Sequence, residues 1–228
     1  MAQGMMRRNR PYAARMTPGQ RREQLLDVVL DIINTDGVAA VSMDGVARRA
    51  GVTRPVVYSL FTDTNDLLRG SLDREEQRAL AQITDAVATS AADDLVTSFE
   101  RIFDAYLAAV AEAPDRWRAI HSITDSSTPA FHKRVERART ALARQFENAL
   151  RDSGELDATT DFELLARHIL AATWDSGRLL LTEPDDYRHD RLLSGLVGLI
   201  TALVTTPTNG RGRQDSTPGE SPTTTSTG

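Results

Sequence analysis

The chain of 228 residues contains no cysteine and only one lysine, Lys133, and aromatic residues make up 5% of it. The absence of cysteine excludes a disulfide framework and a cysteine-ligated zinc site. The longest apolar stretch, residues 192–204, is interrupted by Gly195 and Gly198 and is too short to cross a bilayer. No apolar segment follows the arginine-rich start, so a secretory signal is not indicated. We therefore expect a cytoplasmic protein with no membrane partner.

Strand signals are also scarce, whereas apolar residues recur at helical spacing between prolines and glycines. This pattern predicts an all-α fold of nine helices. We expect a three-helix N-terminal domain over residues 17–63 and a helical body over residues 64–206. Residues 1–16 form a basic arm that we expect to be disordered. Sixteen of residues 207–228 are Gly, Pro, Ser or Thr, which predicts a disordered tail.

Charge is distributed unevenly along the chain, although the net charge is −5. Residues 1–22 hold six arginines, including Arg8 and Arg10, and no acidic residue. Residues 1–70 carry a balance of +3, so the remainder carries −8. A basic N-terminal part on an acidic body is expected when one end of a protein meets nucleic-acid phosphates.

Residues 42–61 predict two short helices joined by a tight glycine turn. Ser42 is placed to cap the first of these helices and Thr53 the second, and Pro55 lies in the first turn of the second, where its missing N–H costs nothing. Gly51 suits a bend that needs a positive φ. Such a pair of helices can insert one helix into the major groove of DNA. A small three-helix core without DNA binding is the alternative interpretation.

Residues 17–75 resemble the N-terminal domain of the TetR family of bacterial transcriptional regulators. The resemblance rests on the first helix up to Gly37, on Val46-Ala47-Arg48-Arg49-Ala50-Gly51-Val52, and on Thr53-Arg54-Pro55-Val56-Val57-Tyr58-Ser59-Leu60-Phe61. Pro55 often has Gly or Ala in its place in the family. Residues 62–65 lack the lysine that often contacts phosphate there, a loss that the basic arm can offset from the minor groove.

The outward-facing residues of this segment are the expected DNA contacts. We expect Arg54 to pair with guanine and Val56 to meet a thymine methyl group. We expect Tyr58, Thr53 and Ser42 to donate to phosphate oxygens, and Arg48 to contact the backbone. The full set of predicted DNA-binding residues is Arg8, Arg10, Ser42, Arg48, Thr53, Arg54, Pro55, Val56, Tyr58 and Ser59.

The resemblance also implies an effector pocket within helices four to eight and a homodimer formed through the last two helices. Aromatic residues with a few polar tips suit an apolar or aromatic small molecule. The predicted pocket residues are Phe99, Phe103, Tyr106, Trp117, Ile120, His121 and Trp174, although aromatic residues at helical spacing are commonly core. The ninth helix is apolar on most of its circumference, which favours burial against a partner. The predicted interface residues are Ile169, Leu192, Leu196, Leu199, Ile200 and Leu203.

The sequence therefore predicts a homodimeric repressor released from a palindromic operator by a small-molecule effector. We expect no cofactor and no catalytic residue. We also expect no metal site: His121 and Asp125 form an i,i+4 pair, as do His132 and Glu136, but neither pair has an indicated third ligand. The alternatives are a helical small-molecule binding or catalytic protein without DNA binding, and a constitutive architectural DNA-binding protein.

Overall fold

The computed structural model describes residues 16–87, 94–125 and 129–205. Within these ranges it has nine α-helices and no strand, which confirms the predicted all-α fold. The helices are α1 (Pro18–Asp36), α2 (Met43–Arg49), α3 (Arg54–Tyr58), α4 (Thr64–Val87), α5 (Leu95–Glu112), α6 (Pro114–Asp125), α7 (Pro129–Asp152), α8 (Phe162–Thr182) and α9 (His189–Thr205), and a single 3-10 turn, Val38–Ala40, follows α1.

Local side-chain chemistry sets the ends of helix α1. Thr17 accepts a hydrogen bond from the Gln20 amide at 3.2 Å, and the Gln20 side chain accepts one from the Thr17 amide at 2.9 Å. This reciprocal pair satisfies two N–H groups that have no partner within the helix. Pro18 occupies the first helical position, and Gly37 ends the helix with φ +85°.

One continuous core runs from the N-terminal helices into the body. Helix α4 begins at Thr64, where we expect the second domain to begin, and α1 packs against both α4 and α6. Helix α5 lies at the centre of the body and packs against α4, α8 and α9. Its side chains Phe99 and Phe103 are fully buried. The N-terminal helices are thus seated directly on α4 and α6.

Among the residues described, no helix has both the length and the apolar character needed to span a membrane.

Candidate nucleic-acid interface and helical body

The turn between α2 and α3 has a geometry that requires glycine. Gly51 has φ +65°, its amide donates to the Arg48 carbonyl at 3.3 Å, and the Val52 amide donates to the Ala47 carbonyl at 3.0 Å. These two bonds form a Schellman motif, which satisfies carbonyl groups at the end of α2. The motif fixes the direction in which the chain leaves α2, and therefore the placement of α3.

Small and branched side chains hold α3 against the rest of the domain. Val46 and Val57 are completely buried, and Ala47 is 3% exposed. Phe61, which follows α3, is buried beneath the Arg22 guanidinium at 5.1 Å from the ring centroid. A side chain at Gly70 would collide with Arg22, so the glycine permits this close approach. Helix α3 is short, and tertiary packing holds it in place.

Arg54 and Tyr58 project from α3 into solvent, as we expect for DNA contacts. The Arg54 side chain is 68% exposed, and Tyr58 is 56% exposed. One Arg54 nitrogen lies 2.6 Å from a carboxylate oxygen of Asp44 on α2. Sequence reasoning missed this ion pair, which orients the guanidinium while competing with any base for it.

Three hydroxyl groups of the predicted set differ in their freedom to bind phosphate. Ser42 caps α2 by accepting from the Gly45 amide at 3.1 Å, which leaves its O–H free to donate. Ser59 donates to the Val56 carbonyl at 2.7 Å, so its donor is already used. Thr53 occupies the position before α3 but makes no capping bond through its side chain, contrary to expectation. Its exposed hydroxyl therefore remains available.

The arginines of α2 have separate environments. Arg48 is exposed, in agreement with a role at the DNA backbone. Arg49 instead contacts α1, at 2.6 Å from Asp31 and 2.9 Å from Asp36. Pro55 is exposed in the first turn of α3, and Val56 is half-buried. Arg8 and Arg10 lie outside the described residues.

The start of α4 carries carboxylates where the family often has a lysine. Asp66 accepts from the Thr62 amide at 2.9 Å, and the Asp63 side chain accepts from the Asp66 amide at 2.8 Å. The Thr62 hydrogen bond holds the pKa of Asp66 below its ordinary value. An ionised carboxylate at this helix start is stabilised by the helix dipole but repels phosphate.

Four of the predicted effector residues, Tyr106, Trp117, His121 and Trp174, form a chain of ring contacts in the body, the aromatic cluster, whereas Phe99 contacts Phe103. Tyr106 stands edge-on to Trp117 with ring centroids 5.1 Å apart, and His121 lies 4.0 Å from Trp174. Six of the seven are buried, whereas Trp174 is partly exposed. The seven predicted residues are Phe99, Phe103, Tyr106, Trp117, Ile120, His121 and Trp174. His121 also lines a cleft that opens between the two domains.

Several polar tips in this cluster have no hydrogen-bond partner among the described residues. They are the Tyr106 hydroxyl, the Trp117 indole nitrogen and both His121 ring nitrogens. Burial raises the pKa of Tyr106 and lowers the pKa of His121 to about 4, so both side chains are uncharged near neutral pH. The Tyr106 hydroxyl rests against Gly177 of α8, where any side chain would collide with it. Unsatisfied buried polar groups are costly, and they mark this cluster as more than inert core.

The predicted interface residues divide between the interior and the surface of the protomer. Ile169, Leu192, Leu196 and Ile200 are buried within the chain itself. Leu199 is 52% exposed and Leu203 is partly exposed. Both line a groove of about 770 Å³ beside α8 and α9, together with Ile169. The outer surface of α9 therefore centres on Leu199.

A buried ionic network joins the two domains, and sequence reasoning missed it. Arg74 of α4 reaches Asp27 of α1 at 2.8 Å and the neighbouring Glu75 at 2.7 Å. Glu75, whose side chain is 2% exposed, also lies 3.1 Å from Arg116 of α6. Burial alone lowers the pKa of Arg74, but Glu75 and Asp27 outweigh it and raise that pKa. Glu75 follows Leu68 and Leu72 at helical spacing, a signal that would have placed it inside.

In the described ranges, no group of three or more His, Cys, Asp or Glu residues is arranged to hold a metal ion. His121 and Asp125 both border the interdomain cleft, with Arg118 and Arg178 as the other charged side chains of its lining.

A short helix held by a glycine turn, with exposed Arg and Tyr side chains, on an all-helical body defines a helix-turn-helix DNA-binding protein. Residues 25–70 match the family model described as bacterial regulatory proteins, tetR family. An uncharacterised helix-turn-helix regulator of Mycobacterium tuberculosis is 28% identical over 192 residues, with 80% of each chain covered. The activator FasR of Mycolicibacterium smegmatis is 26% identical, with 80% of this chain and 82% of FasR covered.

Among solved structures, the SmeT–triclosan complex has the same fold, with a TM-score of 0.64 and 21% identity over 82% of this chain and 95% of that chain. The match over residues 25–70 assigns this segment to the TetR family of bacterial regulatory proteins, and the chain is a DNA-binding regulator of transcription. The two relatives named above are regulators of transcription rather than enzymes.

Proposed function

We propose that this regulator is a homodimeric repressor that leaves a palindromic operator when a small molecule binds its helical body. The observation that supports its mode of DNA reading is the fixed α2–α3 turn, which presents Arg54 and Tyr58 outward. A major-groove helix on a rigid support is what base readout requires. Its place of action is the bacterial cytoplasm, where operator DNA is found.

The DNA contacts follow from the exposed side chains. Arg54 reads guanine through a bidentate contact after leaving Asp44, and Val56 meets a thymine methyl group. The free donors of Tyr58, Thr53 and Ser42 bind phosphates, and Arg48 contacts the backbone. The Ser59 hydroxyl can only accept, so its role is to support α3 through the Val56 carbonyl.

Dimerisation is proposed through the outer surface of α8 and α9. Leu199 and Leu164 are about half exposed, and side chains added at Gly195 or Gly198 would meet open space. A partner helix can therefore approach α9 closely at these glycines. A two-fold dimer places two α3 helices on successive major grooves, which matches a palindromic operator.

The effector is proposed to contact the aromatic cluster of α5, α6 and α8. The unpartnered tips of Tyr106, Trp117 and His121 are neutral groups that can hydrogen-bond to a ligand. SmeT, a protein of this fold, was solved as a complex with triclosan, a small molecule. Effector binding then favours a body conformation in which the two α3 helices no longer fit the operator.

Activation is the second candidate mode, because FasR is named as an activator. In vitro transcription from the regulated promoter distinguishes the two modes. A repressor lowers transcript yield when it is added without effector, whereas an activator raises it.

The DNA-binding proposal is tested by fluorescence anisotropy with DNA from upstream of the regulator's own gene. Arg54→Ala should weaken operator binding by about 1–3 kcal/mol and relax sequence discrimination. Arg144→Ala is the matched control, since Arg144 is an exposed arginine on α7, outside both α3 and the proposed dimer surface. Unchanged discrimination in Arg54→Ala would remove Arg54 as a base reader.

The basic arm is proposed to add sequence-independent affinity. Replacing Arg8 and Arg10 by alanine should weaken binding to operator and random DNA alike, and should reduce the salt slope by about one unit per lost phosphate contact. A change confined to the operator would contradict this role. Salt titrations with both DNA sequences provide the measurement.

A further inference from the structure

A cleft of about 860 Å³ separates the DNA-binding domain from the body. Its first wall comes from the end of α1 and the 3-10 turn, with Ile33, Asn34 and Val38. Its second wall comes from α6 and α8, and Thr64 and Leu68 at the start of α4 complete it. This volume is within the range of small-molecule sites, which occur preferentially at domain interfaces.

The lining combines apolar walls with two arginine side chains. Its larger aliphatic side chains are Ile33, Val38, Val41, Leu68 and Leu181. Its ionised side chains are two arginines, Arg118 on α6 and Arg178 on α8, and one carboxylate, Asp125. The two cationic groups stand on different helices, and each is also paired with an aspartate beyond the lining, Arg118 with Asp115 and Arg178 with Asp175.

Both arginines have guanidinium N–H donors that their aspartate partners do not use. Arg118 contacts Asp115 through one terminal nitrogen, at 3.0 Å. Arg178 uses Nε and one terminal nitrogen on a single Asp175 oxygen, at 2.9 and 2.7 Å. A guanidinium has five N–H donors, so each can still bind a second carboxylate.

Two buried polar groups of the lining lack a partner in the part of the chain that the structure describes. His121 is 6% exposed, and neither of its ring nitrogens is hydrogen-bonded. Asn34 donates through its amide nitrogen to the Asp115 carbonyl at 3.0 Å, while its side-chain oxygen is unpartnered. Leaving such groups unsatisfied is costly. A polar ligand group that reached these atoms from the cleft would satisfy them.

We propose that this cleft binds an amphipathic carboxylate, with the carboxylate between Arg118 and Arg178 and the apolar body against α1 and the 3-10 turn. The proposal names a ligand class for the proposed effector-responsive regulator. Only the expected effect of this ligand on DNA binding rests on that proposed function. A ligand in this position contacts the DNA-binding domain and the body at once. It therefore sets their relative placement directly.

Substitution of Asp125 tests whether the ligand is anionic or cationic. Its carboxylate opposes an anionic ligand and would favour a cationic one. Asp125→Asn should therefore tighten the binding of a carboxylate several-fold. Arg118→Gln and Arg178→Gln should each weaken it at least tenfold. Arg167→Gln, an exposed arginine on the same helix as Arg178, is the matched control and should leave it unchanged.

The experiment titrates the full chain, without DNA, with decanoate, decanol and decylamine below their micelle concentrations. The chain has two tryptophans, Trp117 and Trp174, and their ring centroids lie 6.5 and 4.0 Å from that of His121. Tryptophan fluorescence therefore reports on the cleft. We expect saturable binding of decanoate and at least tenfold weaker binding of the other two probes.

Other outcomes overturn the carboxylate site. Equal binding of all three probes would indicate an apolar cavity only, and preferential binding of decylamine, weakened in Asp125→Asn, would indicate a cation site. Absence of saturable decanoate binding would remove the site altogether. Operator affinity with and without decanoate is measured separately. Binding of decanoate without operator release leaves the site intact and contradicts only its regulatory consequence.

Discussion

At the scale of single residues, we expect the pair between Arg54 and Asp44 to limit DNA binding. Arg54 must leave a carboxylate 2.6 Å away before it can contact a base. Asp44→Asn removes both the competing partner and a negative charge near phosphate, so we expect operator affinity to rise several-fold. Fluorescence anisotropy at low salt measures the change. Asp190→Asn, also in the first turn of a helix, should have no such effect. Weaker operator binding in Asp44→Asn would show that the pair orients Arg54 rather than restraining it.

His121 gives the protein a second residue-scale property, a stability that depends on pH. Burial lowers its pKa to about 4 in the fold, against 6.5 when unperturbed, with Asp125, Arg178, Arg139 and Asp175 as charged neighbours. The unfolded chain therefore binds the proton more tightly. The stabilising effect of neutral His121 is complete above pH 6.5 and is lost as the pH falls towards 4, by roughly 1.4 kcal/mol per unit.

Urea unfolding at pH 7.5 and 5.0 tests this dependence. We expect the wild type to lose on the order of 2 kcal/mol at pH 5.0 and His121→Phe to lose much less. Carboxyl groups whose pKa is lowered, such as Asp66, contribute below this window. His168→Phe, at an exposed position on α8, is the control and should behave as the wild type. The same loss in His121→Phe as in the wild type would exclude His121 as the origin.

At the scale of helices, Glu75 links α1, α4 and α6. Glu75→Gln removes one carboxylate partner of Arg74, which keeps Asp27, and the carboxylate partner of Arg116, so we expect the lost charge-assisted bonds to cost about 1.5–3 kcal/mol. Glu163→Gln breaks an exposed pair with Arg167 and should cost less than about 1 kcal/mol. Urea unfolding measures both. A double-mutant cycle with Arg116→Gln then isolates the α4–α6 contact. Equal losses for the two glutamates would show that the network contributes no more than a surface pair.

The same helices show why some features can be predicted from sequence and others cannot. The Ser42 cap and the Gly51 turn depend on residues within five positions of one another, so the sequence predicts them correctly. The contacts of Arg49 with Asp31 and of Arg74 with Asp27 span longer separations. They depend on how helices cross, which local patterns do not specify.

The candidate site follows the same division. Exposure of Arg54 and Tyr58 follows from helical periodicity once α3 is placed. Its Asp44 partner and the interdomain cleft arise only when separate helices meet. For α9, the apolar character of most of its circumference predicts two buried sides. It does not specify which residues face the interior of the protomer and which face a partner. The structure assigns Leu192, Leu196 and Ile200 to the interior and leaves Leu199 outside.

At the scale of the whole molecule, Leu199 decides the proposed assembly. A charge at this half-exposed position on α9 leaves the protomer core intact but must be desolvated in a dimer, which is costly without a partner charge. We expect Leu199→Glu to be monomeric by sedimentation at concentrations where the wild type is dimeric. Leu80→Glu is the control, because Leu80 is 61% exposed but lies on α4.

Loss of the dimer should also weaken operator binding. A monomer presents one α3 helix and binds one half-site, so operator binding by Leu199→Glu should weaken far more than binding to a single half-site. Anisotropy with full and half operators measures the two affinities. A monomeric variant that still binds the full operator as tightly as the wild type would contradict the palindromic mode. A dimeric variant would instead place the interface elsewhere than the outer surface of α9.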